Sequence, residues 1–414
     1  MLGRLLPPSL GRPYRWLFAS STATNLGDGI LLAAGPLLVA SLTRDPFAVA
    51  MSVLAQRLPW VLFGLVAGAV VDRVNRVRLV AAADALRVLV LGALTVMVAL
   101  DAMTVPGLYA VFFLLGTAET FADNASSTLT VAVVRREHLG LANSRLFGSA
   151  MVTNQLAGPS VGAALFAVAG WTAFGATAVL CALGVVLVLR VTLPSRAEPE
   201  GPQESAGTLL RQTREGLSWL WHHPPMRTLT VMILGFNVTF GAAWSVLVLY
   251  AQDRLGVGDV GYGLLLSASA VGGVLGSALF PRLEARFRYA VLLRVGLVIE
   301  TGTHAALALT EQAWVAGLVV FAFGVHAVVW GSTSTTVRQR AVPDALLGRV
   351  TGVYLLASLG GIAAGTPIGG WVAQQWGITA ALWFAFGGSL VLTALLWRSL
   401  TYVAHAAEEP QPRG

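Results

Sequence analysis

The stretch GLVAGAVVDRVNRVR, residues 64–78, places a group of charged side chains directly behind an apolar run that contains two glycines. Charged residues make up only 11% of the 414 residues, so a cluster of them needs a cause. The four charges are Asp72, Arg73, Arg76 and Arg78. The apolar run before them is long enough to cross a lipid bilayer. The pattern predicts a short charged connection between two membrane-spanning helices.

The composition extends this prediction to the whole chain. Hydrophobic residues make up 56% of the sequence and the mean hydropathy is +0.73, which is more apolar surface than the core of a water-soluble protein can bury. Runs of about 20 apolar residues recur, each able to cross a hydrocarbon layer roughly 30 Å thick. The sequence therefore predicts an all-α membrane protein with spans at 15–42, 47–71, 79–100, 106–132, 144–169, 171–192, 228–251, 260–280, 290–309, 313–336, 350–373 and 378–397.

The basic residues are arranged asymmetrically along these twelve spans. The net charge is +7 and all 27 basic residues are arginine, a balance that could also suit a nucleic-acid-binding protein. Among the odd-numbered connections only Arg44 and Arg254 occur, whereas the termini and the even-numbered connections hold most of the others. This is the positive-inside pattern. It predicts that both termini lie in the cytoplasm, and it removes the reason to expect a nucleic-acid partner.

The two halves of the chain resemble each other at one fixed offset of 208 residues. Gly64 then aligns with Gly272 and Gly68 with Gly276, and the segments 133–143 and 158–162 align with 341–351 and 366–370. Three matches at one offset indicate a parallel duplication of six helices. The predicted division is an N-terminal six-helix bundle at 1–193, a cytoplasmic linker with an amphipathic helix at 194–226, a C-terminal six-helix bundle at 227–397 and a cytoplasmic tail at 398–414.

The linker changes character along its length. Residues 194–207 are rich in Pro, Glu, Gly and Ser, a composition typical of solvated linkers. In the segment that follows, Leu210, Leu217 and Trp221 recur at helical spacing opposite Arg211 and Arg214. We expect an amphipathic helix that lies along the cytoplasmic membrane surface and contacts lipid.

Ionisable residues inside the spans are expensive unless paired or hydrated, so each is a functional candidate. Asp28 and Arg57 lie at similar predicted depths and are expected to form an ion pair. Glu119 and Asp123 lie one helical turn apart. Because two neighbouring carboxylates repel each other when both are ionised, binding of a proton is favoured. We treat Asp28, Glu119, Asp123 and Arg57 as candidates for proton coupling; the alternative is permanent pairing that holds helices together.

Further ionisable residues have structural interpretations. Asp84 and Arg87 are three residues apart and are expected to neutralise each other. Glu300 and His304, four residues apart, are read as a self-satisfied pair. His326 is a candidate for a cavity, although a lone histidine is more often a structural hydrogen-bonding residue.

The charged stretch and the six-plus-six arrangement together resemble the major facilitator superfamily. Its signature between the second and third helices matches Gly68, Asp72, Arg73 and Arg76, with Asn75 replacing a usual glycine. The segments NLGDGILLAAGPLLV, GTAETFADNA and VPDALLGRV are similar to the branch that contains the enterobactin exporter and the macrolide efflux proteins. The resemblance implies that Gly64, Gly68, Asp72, Arg73 and Arg76 form a conformational latch against the eleventh helix.

The same resemblance implies which helices line the central path, namely the first, fourth, seventh and tenth. The substrate-cavity candidates on them are Asn25, Asn124, Asn237, Trp244, His326 and Trp330. Their mixture with the acidic groups suits an apolar or cationic, ring-bearing substrate. In the fifth helix, Gly158, Pro159 and Gly162 are similar to the antiporter signature of drug exporters.

These observations predict a proton-coupled exporter of a drug-like or secondary-metabolite molecule. The chain has no lysine, hence no lysine-containing nucleotide-binding loop, and we expect a proton gradient as the energy source, with no cofactor, metal site or enzymatic activity. We expect a monomeric multi-pass protein of the bacterial cytoplasmic membrane, with multidrug resistance as one outcome. The alternatives are an importer, a lipid or siderophore transporter, a non-transporting sensor and an intramembrane enzyme.

Overall fold

A computed structural model of the chain describes residues 7–71, 73–193 and 206–405. Asp72, most of the predicted linker and the predicted tail beyond 405 lie outside the described residues. Helices dominate, and no strand occurs in the described part of the chain. The all-α membrane fold expected from composition and periodicity is confirmed.

The first half contains six helical spans joined by short connections. Short 3₁₀ turns precede the first span, at Pro8–Leu10, and the fifth, at Arg136–His138. The helices are α1 (Gly11–Leu42), α2 (Pro46–Val71), α3 (Arg76–Ala99), α4 (Val105–Val133), α5 (139–168) and α6 (Gly170–Val188).

The second half begins with a helix in the position predicted for an amphipathic one. Six spans follow, and a short last helix comes after them. The helices are α7 (Ala206–His222), α8 (Pro224–Trp244), α9 (Asp259–Arg286), α10 (Tyr289–Leu309), α11 (Ala313–Ala341), α12 (Asp344–Trp376), α13 (Ile378–Leu396) and α14 (Ser399–His405). Between α8 and α9 the chain forms a single helical turn, Leu247–Leu249, and a π-helical segment, Tyr250–Arg254.

The fifth span differs from the others in being irregular. It runs as an α-helix over Leu139–Ala150, a π-helical segment over Met151–Ala157 and an α-helix over Gly158–Val168. Eleven helices of the described chain are long and apolar enough to cross a membrane, and they correspond to the other eleven predicted spans. Since π-helical segments occur often at functional sites, the interruption in α5 draws attention to the residues beside it.

Contacts between residues group the chain into two compact units. The first comprises the chain up to Thr43 together with Ala55–Ala206 and Asp259–Ser267, and the second comprises Arg44–Leu54, Gly207–Gly258 and the rest from Ala268. α2 therefore begins in the second unit and ends in the first, and α9 does the reverse. The predicted bundle boundaries at 193 and 227 stay a prediction.

The apolar residues predicted to form one stripe of α7 are divided between the protein interior and the surface. Leu220 is buried in an apolar cluster with Met226 and Leu229 of α8, while Leu217 and Trp221 remain 49% and 60% exposed. Glu215 accepts a hydrogen bond from Arg349 of α12 at 2.8 Å. α7 is thus fixed to its unit by one face and one ion pair. Its contact with lipid stays a prediction.

Candidate functional site

A polar cavity of about 150 Å³ lies inside the first unit. α1, α2, α3, α4 and the π-helical part of α5 all contribute side chains to it. It holds two carboxylates and two arginines among apolar and amide groups, and its lining residues are Asp28, Leu31, Leu32, Gln56, Arg57, Trp60, Arg87, Leu115, Glu119, Asn154 and Gln155. Charged groups confined in such a small space within a membrane span are functional candidates.

Asp28 is paired with Arg87, not with Arg57 as expected from the sequence. The Arg87 Nη2 donates to Asp28 Oδ1, and the Arg87 Nη1 donates to Asp84 Oδ1 at 3.2 Å. Asp84 and Arg87 are 2% and 3% exposed. Arg87 therefore bridges two carboxylates, and its pairing with Asp84 alone, also expected from the sequence, is incomplete. Arg57 lines the same cavity with an exposed side chain.

The close approach of α6 to α1 and α3 sets the position of this bridge. Ser20 of α1 donates to the backbone carbonyl of Gly184 at 2.9 Å. A Cβ atom added at Gly184 would lie 2.6 Å from a methyl group of Thr24 and 3.6 Å from Asp84 Oδ2. A larger residue at this position would have to displace the Thr24 side chain. α6 thereby packs close to Asp84, one of the two carboxylates that Arg87 bridges.

Glu119 differs from Asp28 in having no partner. Within the described chain it makes neither a hydrogen bond nor an ion pair, yet it lines the cavity beside both arginines. Asp123, one turn further along α4, is exposed and does not line this cavity. The two candidates of α4 therefore stand in different surroundings.

The three candidates of α5 pack α5 tightly against α1. A Cβ atom added at Gly158 would lie 2.5 Å from the Cα atom of Gly29, and one added at Gly162 would lie 2.8 Å from the Cα atom of Ile30. Pro159 lies between them and is buried. Because Gly29 and Ile30 directly follow Asp28, this contact fixes the part of α1 that presents Asp28 to the cavity.

A second cavity, of about 360 Å³, lies inside the second unit and is largely aromatic. It is formed by α8, α10, α11 and α12. Its lining residues are Ile233, Phe236, Asn237, Phe240, Leu297, Glu300, Phe323, His326, Ala327, Trp330, Gly331, Thr335, Tyr354 and Ser358. The candidates Asn237, His326 and Trp330 are brought together here, and their role in substrate binding stays a prediction.

Glu300 connects this cavity to two histidines. Its Oε2 lies 3.0 Å from Nε2 of His326, and its Oε1 lies 3.6 Å from Nε2 of His304. All three side chains are buried. The expected pairing of Glu300 with His304 is present but incomplete, since the hydrogen bond of Glu300 is to His326.

Trp244 belongs to an aromatic stack beside the second cavity and does not line it. Its ring centroid lies 4.6 Å from those of Phe240 and Phe323. It also meets His304 edge-on, with the centroids 6.1 Å apart. Trp244 therefore holds two lining rings and one histidine in place.

The candidate amides differ in what they bind. Asn237 donates to Ile233 O at 2.8 Å and to Ser358 Oγ at 3.3 Å, so it joins α8 to α12 at the second cavity. Asn25 and Asn124 donate to carbonyl groups one turn back in their own helices. Neither lines the first cavity.

The proposed latch residues lie at the end of α2 and the start of α3. A Cβ atom added at Gly64 or Gly68 would have no atom of another helix within 4 Å. Asn75 caps α3 by accepting a hydrogen bond from the backbone N–H of Arg78. Arg73 is exposed and Arg76 is half-buried, while Asp72 lies outside the described residues. The latch stays a prediction.

The family of the chain follows from comparison with known proteins. The family model described as transmembrane secretion effector, of the major facilitator superfamily, matches residues 6–413. The chain belongs to this family. The resemblance drawn from the residues is confirmed.

Two curated relatives of this family member are exporters by name. The multidrug efflux pump Tap of Mycolicibacterium fortuitum is 29% identical over 84% of this chain and 87% of its own length. The enterobactin exporter EntS of Escherichia coli (strain K12) is 25% identical over 96% of this chain and 94% of its own length. Family and fold are those of transporters rather than enzymes.

Solved structures support the same fold. A variant of the nucleoside transporter NupG superimposes with a TM-score of 0.79 at 12% identity and covers 94% of this chain and 100% of its own. A bacterial homologue of the iron transporter ferroportin superimposes with a TM-score of 0.76 at 17% identity, with 94% and 98% covered. The chain is therefore a multi-pass membrane protein with the major facilitator fold.

Sequence reasoning missed several residues of both cavities. In the first it did not single out Gln56, Trp60, Asn154 and Gln155, and it gave Arg87 only a local role. In the second it missed the rings of Phe236, Phe240, Phe323 and Tyr354. The available signal was weak, because an aromatic residue in an apolar span is ordinarily core packing.

Proposed function

We propose that this transmembrane secretion effector is a proton-coupled exporter of a ring-bearing small organic molecule. Export is suggested by the relatives Tap and EntS, whose names describe an efflux pump and an exporter. Proton coupling is supported mainly by Glu119, a carboxylate without a partner in a cavity that also holds an ion pair. No other cavity-lining carboxylate in the described chain lacks a partner.

Glu119 suits reversible proton binding because of the cost of its charge. An ionised carboxylate with no hydrogen-bond partner is poorly stabilised inside a membrane span. Asp28 is different, since Arg87 donates to it directly. In the proposed mechanism Glu119 takes up a proton when the cavity faces one side of the membrane and releases it when the cavity faces the other. Asp28 and Arg87 stay ionised as a pair.

The proton site and the substrate cavity lie in different units in this proposal. The rings of Phe236, Phe323 and Trp330 offer stacking surfaces to an aromatic substrate. Asn237, Glu300 and His326 supply polar groups that orient it. Alternation of access, driven by proton exchange in the first unit, would then carry the molecule bound in the second.

The remaining features of the proposal concern placement. We place the protein in the bacterial cytoplasmic membrane with both termini in the cytoplasm, on the strength of the arginine asymmetry, and we propose that the monomer transports. Energy comes from the proton gradient, with no cofactor. Drug resistance would be one outcome of such an exporter.

Everted membrane vesicles that contain the full chain test the proposal. We would offer 1-naphthoate, 1-naphthylmethylammonium and the neutral dye N-phenyl-1-naphthylamine, and record both probe uptake and lumenal pH. We expect uptake of at least one probe with matching loss of lumenal protons, abolished by a protonophore. Vesicles without the chain are the control. Uptake that persists unchanged after the proton gradient is collapsed would contradict proton coupling.

A further inference from the structure

Arg338 is a buried cation without a carboxylate. It lies near the end of α11 and is 7% exposed. Its Nε and Nη1 atoms have no hydrogen-bond partner, and its Nη2 lies 3.5 Å from Thr335 Oγ1. No Asp or Glu of the described chain forms an ion pair with it. A buried guanidinium in this state is costly, because its lost hydration is not replaced.

The groups that touch Arg338 also form one end of the aromatic cavity. Its guanidinium carbon lies 4.0 Å from the ring centroid of Tyr354, and the Tyr354 hydroxyl is 2.9 Å from Ser334 Oγ. Tyr354 and Thr335 both line the cavity. The positive charge therefore lies directly behind this end of the wall, where its field acts through a medium of low dielectric constant.

The opposite end of the cavity supplies no free negative charge. Glu300 is the one carboxylate among the lining residues, and its two oxygens already face His326 and His304. His326 and Arg338 are twelve residues apart on α11, which is about 18 Å along a helix. The cavity thus has an engaged carboxylate at one end, an unpaired cation at the other, and aromatic rings between them.

We propose that the cavity of the second unit binds an aromatic organic anion whose negative group lies at the Thr335–Tyr354 end, where Arg338 neutralises it. Its ring system stacks against Phe236 and Trp330. This assignment rests on the proposed export function and names its substrate class. It replaces the apolar or cationic class expected from the sequence, because a cationic group at this end would be repelled by Arg338.

A purely structural role for Arg338 makes different predictions. A cation in the last turn of a helix is stabilised by the helix dipole, and stacking on Tyr354 contributes further. If Arg338 only anchored the end of α11, its removal would weaken all ligands of the cavity alike. A charge-recognising role instead separates anions from cations of the same shape.

The test is equilibrium dialysis of the purified full chain in nanodiscs of phosphatidylcholine, with 1-naphthoate and 1-naphthylmethylammonium as probes of matched ring size. We expect the wild type to bind the anion at least about tenfold more tightly, which corresponds to an attraction of about 1.4 kcal/mol between the ligand and the buried charge. Arg338→Gln should lose this preference, and Arg338→Lys should keep part of it. Arg340→Gln is the matched control, since Arg340 is an exposed arginine of the same turn.

Three results would overturn the proposal. The first is that the wild type binds the anion no more tightly than the cation. The second is that Arg338→Gln keeps the wild-type preference for the anion. The third is that Arg340→Gln loses this preference as fully as Arg338→Gln does. The wild-type comparison needs no variant, so it stands even if Arg338→Gln fails to fold. No proton gradient is present in the assay, so the outcome is independent of whether export is proton-coupled.

Discussion

At the scale of single residues, the molecule concentrates charge where the membrane makes it most expensive. Arg87 is buried and holds Asp28 and Asp84 together. Burial of one arginine with two carboxylates leaves a net negative charge, and Arg57 and Glu119 line the same cavity. Such networks cost stability unless they serve a function. The partnerless Glu119 is the member that can change its charge with least disruption to the others.

Removal of Arg87 tests the bridge. Arg87→Gln strands two buried carboxylates and should lower the free energy of unfolding by about 3–5 kcal/mol, as loss of one partner of a buried pair does. Asp28→Asn in the same chain should recover part of the loss, since one stranded charge is removed. Thermal melting of the purified variants measures both effects.

Arg57→Gln is the matched control for this experiment. Arg57 is exposed and its removal should leave the melting temperature nearly unchanged. Equal melting temperatures of Arg57→Gln and Arg87→Gln would show that the contacts of Arg87 with Asp28 and Asp84 do not stabilise the fold. If the double variant loses as much stability as the two single variants lose together, Asp28 and Arg87 do not interact.

At the scale of helices, glycines decide how closely α5 and α1 approach. The α5 residues Gly158 and Gly162 contact the backbone of Gly29 and Ile30, the two residues after Asp28. The π-helical segment just before them contributes Asn154 and Gln155 to the cavity. One tight contact and one irregular segment thus set the positions of three polar lining groups.

A methyl group added at this contact should separate the two helices. Gly162→Ala places a Cβ atom 2.8 Å from the Cα atom of Ile30, and overpacking of this kind costs about 1–3 kcal/mol. Gly148→Ala, also in α5, has no atom near the added Cβ and should be neutral or slightly stabilising through helix propensity. Melting curves of the two variants measure this difference in stability. A Gly162→Ala variant as stable as Gly148→Ala would contradict the packing argument.

The helices were predictable from the sequence to a greater extent than the contacts of their side chains. Hydropathy places each span, because every crossing segment must be apolar over its length. Spacing alone paired Asp84 with Arg87 and Glu300 with His304, as neighbours on one helix face. Hydropathy leaves open the rotation of each helix about its axis, and this rotation brings Arg87 to Asp28 and His326 to Glu300.

At the scale of the whole molecule, the two units carry different chemistry despite the repeat in their sequences. The first has a small polar cavity with two carboxylates and two arginines. The second has a larger aromatic cavity and a buried arginine beside it. The repeat predicted the duplication of helices, but such differences arise from single substitutions after duplication, so the offset could not predict them. This difference is the basis of our proposal that protons bind in one unit and the substrate in the other.

The central claim is that Glu119 couples proton movement to export. It is tested most directly by Glu119→Gln, which keeps the size of the side chain, with Asp123→Asn as the matched control, because Asp123 lies one turn away on α4 and does not line the cavity. Proteoliposomes containing the Glu119→Gln variant would be given a pH gradient and a naphthyl probe that the wild type accumulates. We predict loss of uphill accumulation with downhill exchange within about twofold of wild type, because the substrate cavity in the second unit is untouched. Accumulation against the gradient with unaltered pH dependence would contradict the account.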